Sequence, residues 1–204
     1  MRNSLLLIRS VLIISFLFIL ELMANEQFNF DVTEIEITDK GNKYKGIKRG
    51  TITTDDGLVM VADQFEYNKS TNILIAKGDI KIFDQINLYE IYTDKVIYLK
   101  NEEKIFTEGN SKGIDQDGTI ITAHSFNYDK NLNIIIATGN VKIEDNKRDY
   151  IIFAKKITYF KNKEKIITEG ETKAIIESKY NFNSSNVLFL RNEMQLSSSN
   201  YSTI

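Results

Sequence analysis

The chain has no cysteine, only one histidine and no marked excess of charge of either sign, and each shortage removes a class of function. Without cysteine there is no disulfide framework, thiolate metal site or thiol nucleophile. A lone histidine, His124, leaves little from which to assemble a nucleophile–base–orienter triad or a multi-histidine metal site. Lys and Arg number 26 against 28 Asp and Glu, a net charge of −2, and no basic stripe gathers that could neutralise a row of phosphates. Nucleic acid is therefore not an expected partner. No glycine cluster links a strand to a helix, so a phosphate-binding loop is also missing. What is present is a mixture of charged and apolar residues along most of the chain, the composition of a folded protein with a solvated face. At 204 residues it accommodates one ordinary domain, or one extended repeat domain, behind a short leader.

The leader is legible. Arg2 and Arg9 precede an apolar run from Val11 to Leu20, and Glu21-Leu22-Met23-Ala24-Asn25 follows, giving the basic, apolar and small-residue regions of a secretory signal. The expected cleavage is after Ala24, which assigns residues 1–24 to a signal peptide and 25–204 to one exported domain. Leu22 is bulky for its place in such a site, which leaves an uncleaved anchor as the alternative, although Arg9 and Ser10 interrupt the apolar stretch. No cysteine follows the run that could carry a lipid.

Beyond the leader the sequence repeats with a period of about 30 residues, and such a period has to be found before single strands are assigned. Four segments align: Ala62 to Lys69, Thr93 to Lys100, Ala123 to Lys130, and Ala154 to Lys161. Their tyrosines, Tyr67, Tyr98, Tyr128 and Tyr159, are 31, 30 and 31 positions apart. Each segment leads through a short polar stretch to a second apolar run closing on a glycine, Gly78, Gly109, Gly139 or Gly170, with the same spacing. The first and third copies are most alike, as are the second and fourth, so a paired unit of 61 residues underlies the series. A fifth, degraded copy runs from Ser185 to Asn192. Apolar and polar residues alternate in each first segment, the period-2 signature of a half-buried strand. Asn68-Lys69, Asn101-Glu102, Asp129-Lys130 and Asn162-Lys163 stand where hairpins reverse, and Asp55-Asp56-Gly57 and Asp117-Gly118 mark further turns. An all-β chain of strand–turn–strand units is expected, with the glycines supplying positive φ, a bulge or a close approach where a sheet bends.

No catalytic residue, metal site or cofactor is expected. His124 occupies a slot held by Asp63, Asp94 and Lys155 in the other copies, so it reads as a polar residue on a strand. The acidic pairs Asp55-Asp56, Glu102-Glu103 and Asp115 with Asp117 fall in or near turns, where carboxylates bond local backbone and meet water, rather than beside a reacting centre. The binding candidates are the apolar residues that share one strand phase: Phe65, Tyr67, Val96, Tyr98, Phe126, Tyr128, Ile157 and Tyr159. Stacked in register they form a ladder that either fills a core or lines an acyl-chain groove. The stack also leaves strand edges open to a neighbour.

The runs Gly57 to Asn68 and Ile75 to Ile82, echoed by Ile121 to Tyr128 and Ala137 to Ile143, resemble the OstA-like domain of lipopolysaccharide transport, over roughly residues 28 to 195. That domain is shared by the periplasmic bridge protein LptA, by LptC and by the N-terminal part of LptD. The resemblance implies a twisted antiparallel β-jellyroll whose groove holds the acyl chains of lipid A. It further implies other domains of the same kind as stacking partners, an outer-membrane β-barrel if the chain is of the LptD type, and passive movement of lipid with no enzyme activity. The opening Phe28 to Ile37, and an end at Ile204 that enters another strand, favour an LptD N-terminal portion over an LptA-like bridge, although LptD proteins often carry cysteines here. A secreted structural β-repeat, of solenoid or adhesin type and with no lipid cargo, is the alternative.

Overall fold

The computed structural model describes residues 28–203, and the proposed leader lies outside them. The strands are β1 (Phe28–Val32), β2 (Ile35–Thr38), β3 (Lys43–Gly46), β4 (Gly50–Thr54), β5 (Leu58–Ala62), β6 (Gln64–Asn68), β7 (Ile73–Asp84), β8 (Tyr89–Leu99) and β9 (Lys104–Glu108). They continue with β10 (Ser111–Asp115), β11 (Ile120–Ala123), β12 (Ser125–Asp129), β13 (Ile134–Asp145), β14 (Tyr150–Phe160), β15 (Lys165–Ile176), β16 (Tyr180–Ser185), β17 (Leu188–Leu190) and β18 (Gln195–Ser197).

These strands are the halves of long passes, each pairing antiparallel with the next. β5 and β6 together face β7 across a single ladder, in which Leu58 lies opposite Asp84 and Asn68 opposite Ile73. β7 then pairs with β8 along its whole length, from Ile73–Leu99 to Asp84–Tyr89. The pattern continues through β13, β14 and β15. Every pairing among the described strands is antiparallel, so the chain is not a parallel β-solenoid.

The passes are bent at their middles, and in every second pass a glycine stands at the bend: Gly78, Gly109, Gly139 and Gly170. At Gly78, Gly139 and Gly170 the strand does not end, as the sequence pattern suggests, but runs on through the glycine; at Gly109 it does break, between β9 and β10. Gly78 and Asp79 both have positive φ, as do Gly109–Asn110 and Gly139–Asn140, and the ladder shifts register at these points before resuming. Such a pair turns the strand without ending its pairing. A Cβ on Gly78 would lie 2.6 Å from the Asp63 carboxylate, so both conformation and space call for glycine. The facing pass bonds back across the corner: Asp63 N to Gly78 O (3.1 Å), Asp94 N to Gly109 O (3.2 Å) and His124 N to Gly139 O (2.9 Å).

Bending every pass at the same place folds the meander into two half-sheets that face each other. One contains β1, β4, β5, β10, β11 and β16, and the other β2, β3, β6, β9, β12, β17 and β18; β7, β8, β13, β14 and β15 cross from one to the other. Rings meet across the interior, Phe28 with Tyr67 (4.7 Å between centroids), Tyr89 with Tyr128 (5.4 Å) and Tyr150 with Phe189 (4.8 Å). The interior is one continuous apolar core along the stack. This is a twisted antiparallel β-jellyroll.

Candidate functional site: an apolar interior closed by a polar seam

All eight ladder residues point inward. Phe65, Tyr67, Val96, Tyr98, Phe126, Tyr128, Ile157 and Tyr159 are each at most 6% exposed. They come from one half-sheet and pack against Ile52, Met60, Ile82, Tyr89, Ile91, Ile121, Ile143, Tyr150 and Ile152 from the other. The structure thus gathers the candidates on one wall of a shared interior.

The strand ends of the two half-sheets meet opposite the bend, and there the interior is closed by polar side chains whose grouping sequence reasoning missed. The turns of one half-sheet start with a cation in the same slot, Lys100, Lys130, Lys161 or Arg191, all at most 8% exposed. Strands of the other half-sheet end in Asp84, Asp115 and Asp145, equally buried. Each of these carboxylates caps its own turn, Asp84 accepting from the backbone N–H of Ile86 (3.0 Å) and Asn87 (2.9 Å), Asp115 from Asp117 and Thr119 (2.9 Å each), and Asp145 from Lys147 (3.0 Å) and Arg148 (2.9 Å). All three also bond across the gap, the Tyr128 hydroxyl donating to Asp84 (2.9 Å), that of Tyr159 to Asp115 (3.4 Å) and the Arg191 guanidinium to Asp145 (3.0 Å).

The seam differs along its length. At its N-terminal end Lys100 Nζ lies 2.6 Å from Glu103 and 3.1 Å from Asp56, and Lys130 Nζ meets Glu103 at 2.9 Å and also contacts Asp56. Burial alone would raise the Asp56 pKa, but hydrogen bonds from Lys130, Thr54 and Lys100 outweigh it and hold the carboxyl well below its ordinary range. At the C-terminal end Arg191 donates to Asp145 (3.0 Å), Thr119 (2.7 Å) and Tyr150 (2.7 Å), bonds the Tyr159 hydroxyl and pairs with Glu164 (2.9 Å). Asp145 is likewise depressed, its burial offset by Arg148 and Arg191. Midway, Lys161 Nζ donates to the backbone carbonyl of Asn87 (2.8 Å) and lies 4.3 Å from the centre of the Tyr89 ring. Burial pushes its pKa down. The Tyr89 hydroxyl, buried beside it, has no hydrogen-bond partner among the described residues.

Asp115 thus has the turn role expected of it and a second role in closing the interior, and the part-buried Asp56 and Glu103 hold the buried lysines of the seam. Their repetition in step with the cations is the signal that could have revealed them. His124 lies exposed at a corner between β11 and β12, remote from the seam. Among the described residues no group of three or more His, Cys, Asp or Glu side chains could hold a metal ion, and no helix is long and apolar enough to cross a membrane.

The β-jellyroll is the fold of LptA-like proteins. The chain is similar in fold to LptH of Pseudomonas aeruginosa, described as the LptA-homologous periplasmic component of that organism's lipopolysaccharide transport device, with a TM-score of 0.50 and 12% identity over 55% of this chain and 82% of that one. In sequence it is 31% identical over 121 residues to an uncharacterised protein of Rickettsia prowazekii (strain Madrid E), a match covering 58% of this chain and 59% of that relative. No protein-family model matches the chain.

Proposed function

We propose that the chain is an exported, non-enzymatic lipopolysaccharide-transport protein of the periplasm whose jellyroll interior takes up lipid A acyl chains. The observation that carries this reading is the continuous apolar interior between two half-sheets, lined on one wall by Phe65, Tyr67, Val96, Tyr98, Phe126, Tyr128, Ile157 and Tyr159. Acyl chains entering it would exchange water for apolar contact at about 0.8 kcal/mol per CH₂, enough to hold a lipid with no catalytic group. The likeness to LptH and the signal-like leader support the same reading. β1 and β2 at one end of the stack, and β18 at the other, each have one unpaired edge among the described residues, where a neighbouring domain of the same kind would add its strands. The N-terminal portion of an LptD-type translocon, with an outer-membrane barrel as partner, is the member we favour on the opening residues 28–37; an LptA-like bridge uses the same interior.

The test is a photo-crosslinking residue placed at Phe126 or Tyr128 in cells. Lipopolysaccharide adducts at these positions, and none at outward-facing Asn127, are the expected result. An absence of adducts at every interior position would sink the lipid reading.

A further inference from the structure

The 61-residue period lets two stretches of the seam be compared position by position, and the comparison isolates three side chains. The turn after β7 carries Ile86 and Leu88, and the facing turn after β12 carries Leu132; they are 68%, 40% and 60% exposed. The turns touch, Asn87 Nδ2 donating to the carbonyl of Lys130 (3.2 Å). One period later the same three positions hold Lys147, Asp149 and Glu193. The architecture thus accepts charged residues there, and apolar ones at solvent have no packing reason. Leu88 moreover sits at φ +56, a conformation costly for leucine and filled one period on by Asp149 at φ +49.

Beneath this crest the seam is at its weakest. Lys161 bonds a carbonyl rather than a carboxylate, and the Tyr89 hydroxyl, in a residue 1% exposed, is unpartnered among the described residues. A buried cation facing no directly bonded anion, and a buried donor without an acceptor, are both relieved by an incoming anionic group.

Resting on the acyl-chain reading above, we propose that the middle of the seam is a lateral portal for an anionic amphiphile. Its chain lands on Ile86, Leu88 and Leu132 and passes between the strand ends, while its headgroup pairs with Lys161 and accepts from Tyr89.

The test uses the natural absence of cysteine. One variant, Ile86→Cys with Leu132→Cys, is closed by a short bismaleimide across the portal. The other, Lys147→Cys with Glu193→Cys, is closed at the equivalent place one period on. Uptake of 11-(dansylamino)undecanoate is followed by energy transfer from the interior tyrosines. Closing the portal is expected to slow uptake more than tenfold, and closing the second site less than twofold. In the uncrosslinked chain, Lys161→Met is expected to weaken binding of this probe five- to tenfold and of its uncharged alcohol analogue less than twofold. Equal rates with either closure, or equal loss of both probes, overturn the portal while leaving the cargo reading standing. An unclosed chain that takes up neither probe sinks the cargo reading and the portal with it.

Discussion

Lys100 and Lys161 occupy one slot of the 61-residue period, both 8% exposed, yet the protein shifts them in opposite directions. Burial works to lower both. For Lys100 the hydrogen bonds to Glu103 and Asp56 overcome it and raise the pKa, whereas for Lys161 nothing does and the pKa falls. The acids are not missing from the second copy. Glu164 stands where Glu103 does, but Arg191 engages it at 2.9 Å and Arg148 approaches it at 3.7 Å. Asp117 stands where Asp56 does, and it reaches Lys161 only through the field. A period that fixes the position of a cation therefore does not fix its partner. Guanidinium groups at the C-terminal end draw the anions away and leave the middle of the seam undercompensated.

The largest effect is expected at the end that wins this competition. Arg191→Ala removes the group shared by Asp145, Glu164, Thr119, Tyr150 and Tyr159, and leaves the buried Asp145 carboxylate with Arg148 as its one remaining cation among the described residues. Losing one partner of a buried ion pair costs about 3–5 kcal/mol. Urea denaturation should show a loss of that size, and Arg191→Lys should recover less than half, because a single ammonium cannot serve five acceptors in fixed directions. A loss below about 1 kcal/mol would mean that the C-terminal end is no tighter than the middle.

Acid should act on the two ends before the middle. Asp56 and Asp145 have folded pKa values below their ordinary 3.8, so in both cases the unfolded chain binds the proton first. The stability they contribute is complete above about pH 4 and is lost as pH falls through the lower folded values. Hydrogen exchange provides the local readout. The amides of Lys130, bonded to Glu103 O (3.0 Å), and of Arg191, bonded to Glu164 O (2.9 Å), should open more readily below pH 4 than that of Lys161, bonded to Asn133 O (3.2 Å), once intrinsic rates are removed. If the Lys161 amide shows the largest acid response, the ends are not held by these carboxylates.

The repeat, the strand phase and the bends could be read from residues because each is set locally. Tyr67, Tyr98, Tyr128 and Tyr159 alternate with polar neighbours, and a glycine at positive φ needs no distant partner to declare itself. The seam was not legible in this way. Its bonds join residues far apart in sequence, Tyr128 to Asp84 and Tyr159 to Asp115 across 44 positions, and Lys130 to Asp56 and Lys161 to Asn87 across 74. Those separations are about one and a half and two and a half repeats, a stagger set by how the half-sheets twist when folded together. Turn chemistry gives Asp115 and Asp145 a sufficient local role, and they do cap their turns, so the second role stayed hidden behind the first. What the sequence did contain was persistence: a turn has no need of a cation at Lys100, Lys130, Lys161 and Arg191 alike.

The smallest expected effect is also the one whose sign carries most. Lys161→Met keeps the length and apolar stem of the side chain and removes a charge that the fold desolvates without a directly bonded carboxylate. Replacing such a group by a hydrophobe should stabilise the protein by about 1 kcal/mol. The matching Lys100→Met should destabilise it by roughly 2 kcal/mol, because Asp56 and Glu103 lose a bonded cation while their part exposure limits the cost. The alkaline limb separates the two further. A lysine whose folded pKa is lowered makes stability rise with pH between the folded and unfolded values, since the unfolded chain holds the proton longer. The native protein should show this contribution below pH 10.5, the ordinary lysine value, and Lys161→Met should lack it. If Lys161→Met instead destabilises the chain as Lys100→Met does, the middle of the seam is as well compensated as its ends, and the weak point on which a lateral portal depends is absent.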